Sequence, residues 1–242
     1  MRRYVIAFVG LLALPVSLSQ RAAASPAVVE LFESQGCSSC PPAEGVMTQL
    51  RREFGDSVIL LTYHVDYWDG LGWKDPFSDR RHTDLQKQYG EIFNQESIYT
   101  PEMVVNGEIG FVGSDQETAS DQVRSRIAAS EKPFILSVKK ADGTARVHVE
   151  LPPALASATR RVSIVMYEDA APVHVLRGEN AGATMSGDSA VRRIISLSLN
   201  PSGQADAGVA LEDSWNPAKL WIVVLVRGEH FRILAAQRHA LS

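Results

Sequence analysis

The chain has 242 residues, of which 45% are hydrophobic, and carries 24 Lys and Arg against 28 Asp and Glu, for a formal net charge of −4. Removing the three arginines of the first 24 residues, which contain no acidic residue, makes the net charge −7. An acidic chain of this kind is not expected to bind nucleic acid or an anionic membrane surface as its main partner.

The first 24 residues have the order of a secretory signal sequence. Arg2 and Arg3 precede an apolar run of 15 residues, Tyr4–Leu18, and small residues follow up to Ala24. The run is shorter than the roughly 20 residues that a membrane-spanning helix needs. We therefore expect cleavage after Ala24 and export to the periplasm or the extracellular space, with no stable membrane span afterwards. An uncleaved membrane anchor is the alternative.

Both cysteines, Cys37 and Cys40, lie in the sequence ELFESQGCSSCPP (30–42), between a predicted strand at 27–32 and a predicted helix. In an exported protein they can form a lasting disulfide. Three uses fit this spacing: a metal clip, a structural bridge, or a pair that exchanges electrons with other thiols. A bridge that closes only four residues constrains the unfolded chain little, so a purely structural role is the weakest of the three.

The predicted position of the cysteines gives them different roles. A helix N-terminus stabilises negative charge because its N–H groups lack partners, and a thiol placed there has its pKa lowered to roughly 3.5–7.5. We therefore expect Cys37 to be the nucleophile, more exposed and with a lower pKa than Cys40, the resolving thiol.

Glu30 interrupts an otherwise apolar strand, seven residues before Cys37. Burial would raise the pKa of this carboxyl group, which suits a residue that relays a proton to Cys40. The alternative is a structural role, with the side chain facing a capped or solvated edge.

The next strand, VILLTYHV (58–65), is apolar enough to be a central parallel strand. The loop that follows leaves the end of the sheet at which sites of open α/β folds lie. Its aromatic residues Tyr67, Trp68 and Trp73 are predicted to line a groove for a protein segment, or else to fix the loop to the body of the protein.

His64, at the end of the same strand, has three interpretations. It is a hydrogen-bonded strand-end residue, a residue that orients or deprotonates a cysteine, or the third ligand, with Cys37 and Cys40, of a copper or zinc ion.

A helix at 79–93, a hairpin around Asn106-Gly107 and a helix with the apolar stripe Ala119, Val123 and Ile127 complete the first half. The order strand, helix, strand, helix, hairpin, helix predicts an α/β domain with a mixed sheet (βαβαββα) over residues 25–131.

From residue 132 to 242 the pattern changes to short β-rich runs separated by turn residues. This pattern predicts an all-β antiparallel domain resembling a sandwich. The sequence RGENAG (177–182) is predicted to be a turn of this domain, either a solvated hairpin or a turn that faces the first domain.

A strand, a Cys-x-x-Cys pair, a helix and a later Thr-Pro resemble the thioredoxin fold. The segment YTPEMVVNG (99–107) is similar to the one that, in thioredoxin-like and DsbA-like proteins, carries a cis-proline opposite the cysteines. The resemblance implies a cis bond between Thr100 and Pro101, with Pro101 among the catalytic residues and Thr100 in the substrate site. The chain departs from the best-studied thioredoxins at Ser38-Ser39, between the cysteines.

A closer resemblance covers nearly the whole mature chain. The motifs VVELF-x-SQGCSSCPPA, HVDYWD-x-LGWKDPF, YTP-x-MVVNG and RGENAG, in this order, resemble a secreted thioredoxin-like family without a known function. The resemblance implies a fold and a redox site, but no substrate.

Together these features predict an exported thiol–disulfide oxidoreductase that acts on protein thiols through Cys37 and Cys40. It would need a redox partner, and its disulfide would serve in place of a cofactor. The alternative is a protein that binds or delivers copper or zinc through Cys37, Cys40 and His64, because soft thiolates suit Cu(I). A third possibility is a binding module that recognises its partner through the β-rich half.

Overall fold

Strands and helices alternate in the first half of the chain, as the sequence predicts. The computed structural model describes residues 25–127 and 134–241; the predicted signal sequence and its cleavage site lie outside the described residues. The elements of the first half are β1 (Ala27–Glu33), α1 (Pro41–Phe54), β2 (Val58–His64), α2 (Arg80–Ile92), β3 (Glu102–Val105), β4 (Ile109–Val112) and α3 (Gln116–Ile127).

β1 and β2 run parallel, and every residue of both strands is buried, as their nearly continuous apolar sequences predict. β3 pairs antiparallel with the other edge of β1, and β4 pairs with β3. Helix α1 begins with Pro41 and Pro42, whose fixed φ and missing N–H suit a first turn. Its buried residues recur at helical spacing: Ala43, Val46, Met47 and Leu50.

The hairpin between β3 and β4 has a three-residue connection, although an Asn-Gly dipeptide favours a two-residue turn. Val105 pairs with Ile109, and Asn106 and Gly107 have positive φ values of 51° and 68°. A Cβ at Gly107 would lie 2.3 Å from the carbonyl oxygen of Phe231. The second half of the chain thus packs against this turn so closely that glycine is required.

The second half is rich in strands, as predicted, with one short helix among them. Its elements are β5 (Ile135–Ala141), β6 (Thr144–Glu150), α4 (Pro153–Ala158), β7 (Arg161–His174), β8 (Thr184–Leu197), β9 (Gln204–Ala210), β10 (Leu220–Arg227) and β11 (Ile233–Ala240). Within the described residues, none of the helices is both long and apolar enough to cross a bilayer.

The two halves share a sheet, a connection that the sequence did not predict. β8 pairs parallel with β2 at Thr62 and Ala190, so the described strands form one mixed sheet in the order β11-β10-β7-β8-β2-β1-β3-β4. Only β5, β6 and β9 form a separate antiparallel sheet. The strand pattern of a sequence is local and does not reveal which distant strand is a neighbour. The domain limits 25–131 and 132–242 stay predictions.

The two faces of β1 belong to different cores, because successive side chains of a strand point to opposite faces. Val29 and Leu31 pack with α1 and α3. Val28 and Phe32 join a core with residues from β7, β10 and β11. A side chain of β1 therefore reaches the neighbourhood of α1 only if it shares the face of Val29 and Leu31.

Candidate functional site

Cys37 and Cys40 form a disulfide between the end of β1 and the start of α1. Their Cα atoms are 5.4 Å apart, and Cys40 is the N-cap residue of α1. Both cysteines are 0% exposed, although Ser38 and Ser39 between them are exposed. The prediction that Cys37 is the more exposed of the two is therefore wrong for the oxidised protein, because neighbouring segments cover both sulfur atoms.

The segment with Thr100 and Pro101 lies beside the disulfide. The Thr100–Pro101 bond is cis, as predicted. The hydroxyl of Ser39 lies 3.3 Å from the Cys37 sulfur and donates to the Thr100 carbonyl oxygen at 3.4 Å. A Cβ built at Gly113 would lie 3.2 Å from the Cβ atoms of both Pro101 and Ala43, so Pro101 faces the first turn of α1. Ser39 was not predicted from the sequence to be a residue of the site.

The aromatic loop after β2 packs against the same region. The Trp68 indole donates to the Thr100 hydroxyl at 2.9 Å, and the Trp73 indole donates to the Gln35 side chain at 3.2 Å. The Tyr67 hydroxyl donates to Gln86, and the Tyr67 side chain is partly exposed. The two tryptophans thus fix the loop next to the disulfide, and the predicted substrate groove at these three residues stays a prediction.

The RGENAG turn faces the cysteines and is not a solvated hairpin. We call residues 177–182 the cover loop. The Glu179 carboxylate accepts a hydrogen bond from the Ser38 N–H at 3.0 Å. The Asn180 side-chain amide donates to the carbonyl oxygens of Gln35, at 3.0 Å, and Cys37, at 2.8 Å. The second half of the chain thereby holds the backbone of the cysteine segment.

Glu30 lies on the sheet face opposite α1 and is not in position to relay protons to Cys40. Its carboxylate forms an ion pair with Arg227 at 2.7 Å and accepts a hydrogen bond from the Tyr89 hydroxyl at 2.5 Å. Both Glu30 and Arg227 are buried. Of the two alternatives that the sequence left open for Glu30, the structure has the buried carboxylate; the sequence did not show which face of the strand it occupies.

A second set of charged residues lies on the α1 side of the sheet. Glu33 ends β1, and Glu44 follows Cys40 by one helical turn. His64 Nδ1 lies 2.8 Å from Asp75 Oδ2, and His64 Nε2 lies 3.7 Å from Glu33 Oε1. Two sequence patterns could have identified these residues. Glu33 lies three positions after Glu30, so strand alternation places it on the opposite face of β1. Glu44 lies four positions after Cys40, which is one helical turn.

The acidic surroundings of His64 favour its protonated form. Burial by itself lowers the pKa of His64, but the charge and the hydrogen bond of Asp75, together with Glu33 and Glu44, raise it to about 9. The pKa of Asp75 is lowered below its usual value. Burial by itself would raise this pKa, but His64 and the backbone N–H donors lower it by more. His64 and Asp75 therefore form a buried ion pair at neutral pH.

The surroundings of Glu33 favour its protonated form. Burial raises the pKa of Glu33 to about 8. The positive charge of His64 opposes this rise, and the negative charges of Glu44 and Asp75 add to it. Burial also raises the pKa of Glu44, against a hydrogen bond from the Ser186 N–H. Glu33 Oε2 and Glu44 Oε1 lack hydrogen-bond partners among the described residues, and a cavity of about 20 Å³ lies beside both side chains. This volume holds about one water molecule.

The metal alternative receives no support from side-chain geometry. In residues 25–127 and 134–241, no three His, Cys, Asp or Glu side chains are arranged to hold a metal ion. His64 directs its Nδ1 to Asp75 and its Nε2 towards Glu33. A copper or zinc site at Cys37, Cys40 and His64 stays an untested prediction.

The raised pKa values give an expected pH dependence of stability. Between about pH 4.5 and 8, folded Glu33 keeps a proton that the unfolded chain loses, and His64 behaves likewise between about pH 6.5 and 9. The free energy of unfolding should therefore fall as pH rises through these ranges, by at most about 1.4 kcal/mol per pH unit for each group. Glu33→Gln should flatten the decline between pH 5 and 8.

Urea unfolding at a series of pH values measures this effect. The control is Glu117→Gln, at an exposed position of α3, which should keep the wild-type pH dependence. An unchanged profile for Glu33→Gln would contradict the assignment of the raised pKa to Glu33.

Comparisons with known proteins give a family and a fold. A family model described as a protein of unknown function (DUF1223) matches residues 28–227. The sequence has no match among curated proteins. A solved structure of a protein from Agrobacterium tumefaciens is similar with a TM-score of 0.65 and 24% identity, over 90% of this chain and 96% of that chain. HBP35 of Porphyromonas gingivalis is similar with a TM-score of 0.66 and 14% identity, over 90% of this chain and 75% of that chain. At these identities the likeness concerns the fold alone.

Proposed function

Because the chain belongs to the DUF1223 family, whose description assigns no function, we propose a function from the site itself. The protein is an exported thiol–disulfide oxidoreductase that acts on protein thiols through Cys37 and Cys40. The observation that carries this proposal is the disulfide at the start of α1, with the protonatable carboxyl group of Glu33 on the same side of the sheet.

The proposed fold of the first half is thioredoxin-like. Its support is the strand order β2-β1-β3-β4, in which β1 and β2 are parallel and the β3–β4 hairpin is antiparallel to β1. The disulfide follows β1 directly, and the cis-proline segment lies beside it. These are the features that the resemblance implied.

The reaction is a two-step exchange of sulfur bonds. When the pair oxidises a client, a client thiolate attacks one sulfur, forms a mixed disulfide and releases the other cysteine as a thiolate. A second client thiol then displaces the first sulfur, so the client gains a disulfide and the pair gains two electrons and two protons. The reverse sequence reduces a client disulfide.

Each released thiolate needs a proton donor or a stabilising contact. The Ser39 hydroxyl, 3.3 Å from the Cys37 sulfur, can donate to a Cys37 thiolate. Helix α1 contributes less than usual, because Pro41 and Pro42 lack the N–H groups that would point outward at its first turn. We transfer the proton relay predicted for Glu30 to Glu33, since Glu33 holds a proton at neutral pH and lies on the face of α1.

The client would bind along the exposed edge of the site. Thr100 offers a backbone carbonyl group next to Ser39, and Tyr67 is partly exposed on the neighbouring loop. In the proposal these groups contact the client, while Trp68 and Trp73 hold the loop in place through their hydrogen bonds. Export through the signal sequence in residues 1–24 would place the protein in a compartment where disulfides persist.

The variant His64→Ala distinguishes the copper or zinc alternative from the oxidoreductase. Exchange requires the two sulfur atoms alone, so the variant should keep exchange activity with a changed rate or potential. Measuring Cu(I) and Zn(II) binding to the reduced protein on the same samples completes the test. Tight stoichiometric binding by the wild type that is lost in His64→Ala, with negligible disulfide exchange, would contradict the oxidoreductase.

The direct test of the function is transfer to a protein. The oxidised chain is mixed with reduced, unfolded ribonuclease A, and the reduced chain with insulin, and thiols are counted over time. Exchange with at least one of these proteins is expected, and it should be absent from the double variant Cys37→Ser/Cys40→Ser, which is the control. The absence of exchange in both directions would overturn the proposal.

A further inference from the structure

The disulfide is buried, and the cover loop is hydrogen-bonded to the backbone of the segment that carries it. Cys37 and Cys40 are both 0% exposed, and the contacts that fix the loop reach across more than half of the chain, since Asn180 and Cys37 are 143 residues apart. The rate of thiol–disulfide exchange depends on access of the attacking thiolate to a sulfur atom. In this closed arrangement an incoming thiol has no open path to either sulfur.

Specific polar contacts hold the cover loop in place. Asn180 donates to the carbonyl oxygens of Gln35 and Cys37, and Glu179 accepts from the Ser38 N–H. These are backbone groups that an extended client would otherwise use. A Cβ built at Gly178 would lie 3.2 Å from the Trp73 Cβ, so the cover loop also packs on the aromatic loop.

Exposed apolar side chains flank the closed site. Leu71 is 62% exposed and Tyr67 is 38% exposed on the aromatic loop, and Leu176 is 68% exposed directly before the cover loop. The two loops touch, because a Cβ at Gly72 would lie 3.4 Å from the Gly178 Cα. An apolar partner that binds here buries these side chains at the point where the cover loop must move.

We propose that the cover loop is a gate, held shut by Asn180 and Glu179, that admits a thiol-bearing polypeptide segment with apolar side chains in preference to small thiols. This inference rests on the proposed oxidoreductase function. A polypeptide replaces the backbone hydrogen bonds of the cover loop and buries Leu71 and Leu176. A small thiol does neither, and anionic glutathione in addition meets the Glu179 carboxylate.

The gate is tested by the rate at which dithiothreitol reduces the Cys37–Cys40 disulfide. One dithiothreitol thiolate forms a mixed disulfide, its second thiol closes to the cyclic disulfide, and the protein gains two thiols, which are counted by alkylation and mass spectrometry. Asn180→Asp removes the donor and places a carboxylate against two carbonyl oxygens. The loss of two hydrogen bonds is expected to raise the rate constant roughly tenfold or more.

The matched control is Asn200→Asp, the same change in another turn of the second half. Asn200 uses its side-chain oxygen to accept from the N–H groups of Ser202 and Gln204, and aspartate keeps these bonds. Wild-type reduction rates are expected for this control. Equal rates for Asn180→Asp, the control and the wild type would overturn the gate.

The preference for a polypeptide is tested with reduced, unfolded ribonuclease A. The double variant Leu71→Ser/Leu176→Ser should oxidise this protein several-fold more slowly than the wild type, while its reduction by dithiothreitol stays unchanged. Ile135→Ser, at a 57% exposed position of β5, is the control. If the double variant oxidises ribonuclease A at the wild-type rate, the proposed preference for a polypeptide with apolar side chains is overturned.

Failure of the gate and failure of the function give different results. If Asn180→Asp is reduced faster by dithiothreitol but neither it nor the wild type exchanges with a protein, the closure of the disulfide by the cover loop stands, and the oxidoreductase and the preference for a polypeptide fall. If the wild type exchanges with protein and small thiols equally fast and Asn180→Asp changes neither rate, the oxidoreductase stands and the gate falls.

Discussion

Arg227→Met is expected to lower the free energy of unfolding by about 3–5 kcal/mol, because it leaves the Glu30 carboxylate buried without its counter-charge. The Arg227 Nη2 atom lies 2.7 Å from Glu30 Oε1, with side-chain exposures of 3% and 0%. Unfolding in urea or guanidinium chloride, followed by circular dichroism, measures the loss.

Two further variants separate the buried charge from a general effect of losing an arginine. Arg160→Met removes an ion pair with Glu229 in which both side chains are exposed, and it should cost at most about 1 kcal/mol. The double variant Glu30→Leu/Arg227→Met removes both buried charges and should be more stable than Arg227→Met alone. A loss for Arg227→Met no larger than that for Arg160→Met would contradict the importance of this pair.

The ion pair has a structural consequence for the site. It joins β1, which leads into the cysteines, to β10 in the second half, and the partners are 197 positions apart in the sequence. Together with the pairing of β2 and β8, it indicates that the strand carrying the disulfide is held in place by the second half. Assays of exchange should therefore use the whole chain.

Replacing either cysteine by serine is expected to lower disulfide exchange with a protein by about two orders of magnitude or more, because each exchange cycle needs both sulfur atoms. The two variants should differ in the intermediate that they accumulate. Cys40→Ser keeps the proposed nucleophile and should trap a mixed disulfide with an oxidised client, whereas Cys37→Ser should trap little.

Non-reducing electrophoresis with insulin as the client detects the trapped species. Ser38→Ala, at an exposed position between the cysteines, is the control and should keep its exchange activity. Preferential trapping by Cys37→Ser would reverse the assigned roles of the cysteines. Wild-type exchange by both serine variants would show that the pair takes no part in the reaction.

Local features of the site were predictable from the sequence. The strand before the cysteines and the helix after them have short sequence signals, and the structure contains both. Each depends on residues that are neighbours in the chain: an apolar run for the strand and prolines at the first turn for the helix. The cis bond at Thr100–Pro101, which the structure also contains, was implied by the resemblance of its segment to thioredoxin-like proteins.

Features that depend on distant contacts were missed or misplaced. Glu30 and Glu33 differ by three positions and so point to opposite faces of β1; the sequence did not show which face α1 covers. The hydrogen bonds of Asn180 to the cysteine segment join positions more than 140 residues apart, and no local pattern encodes them. The predicted exposure of Cys37 was wrong for the same reason.

The reduction potential of the Cys37–Cys40 pair tests the central claim most directly. The whole chain is equilibrated in dithiothreitol and glutathione redox buffers, and the reduced fraction is measured by alkylation and mass spectrometry. A thiol–disulfide oxidoreductase predicts a potential between about −270 and −120 mV, the range of thioredoxin and DsbA. A potential below about −300 mV, typical of structural disulfides in secreted proteins, would contradict it.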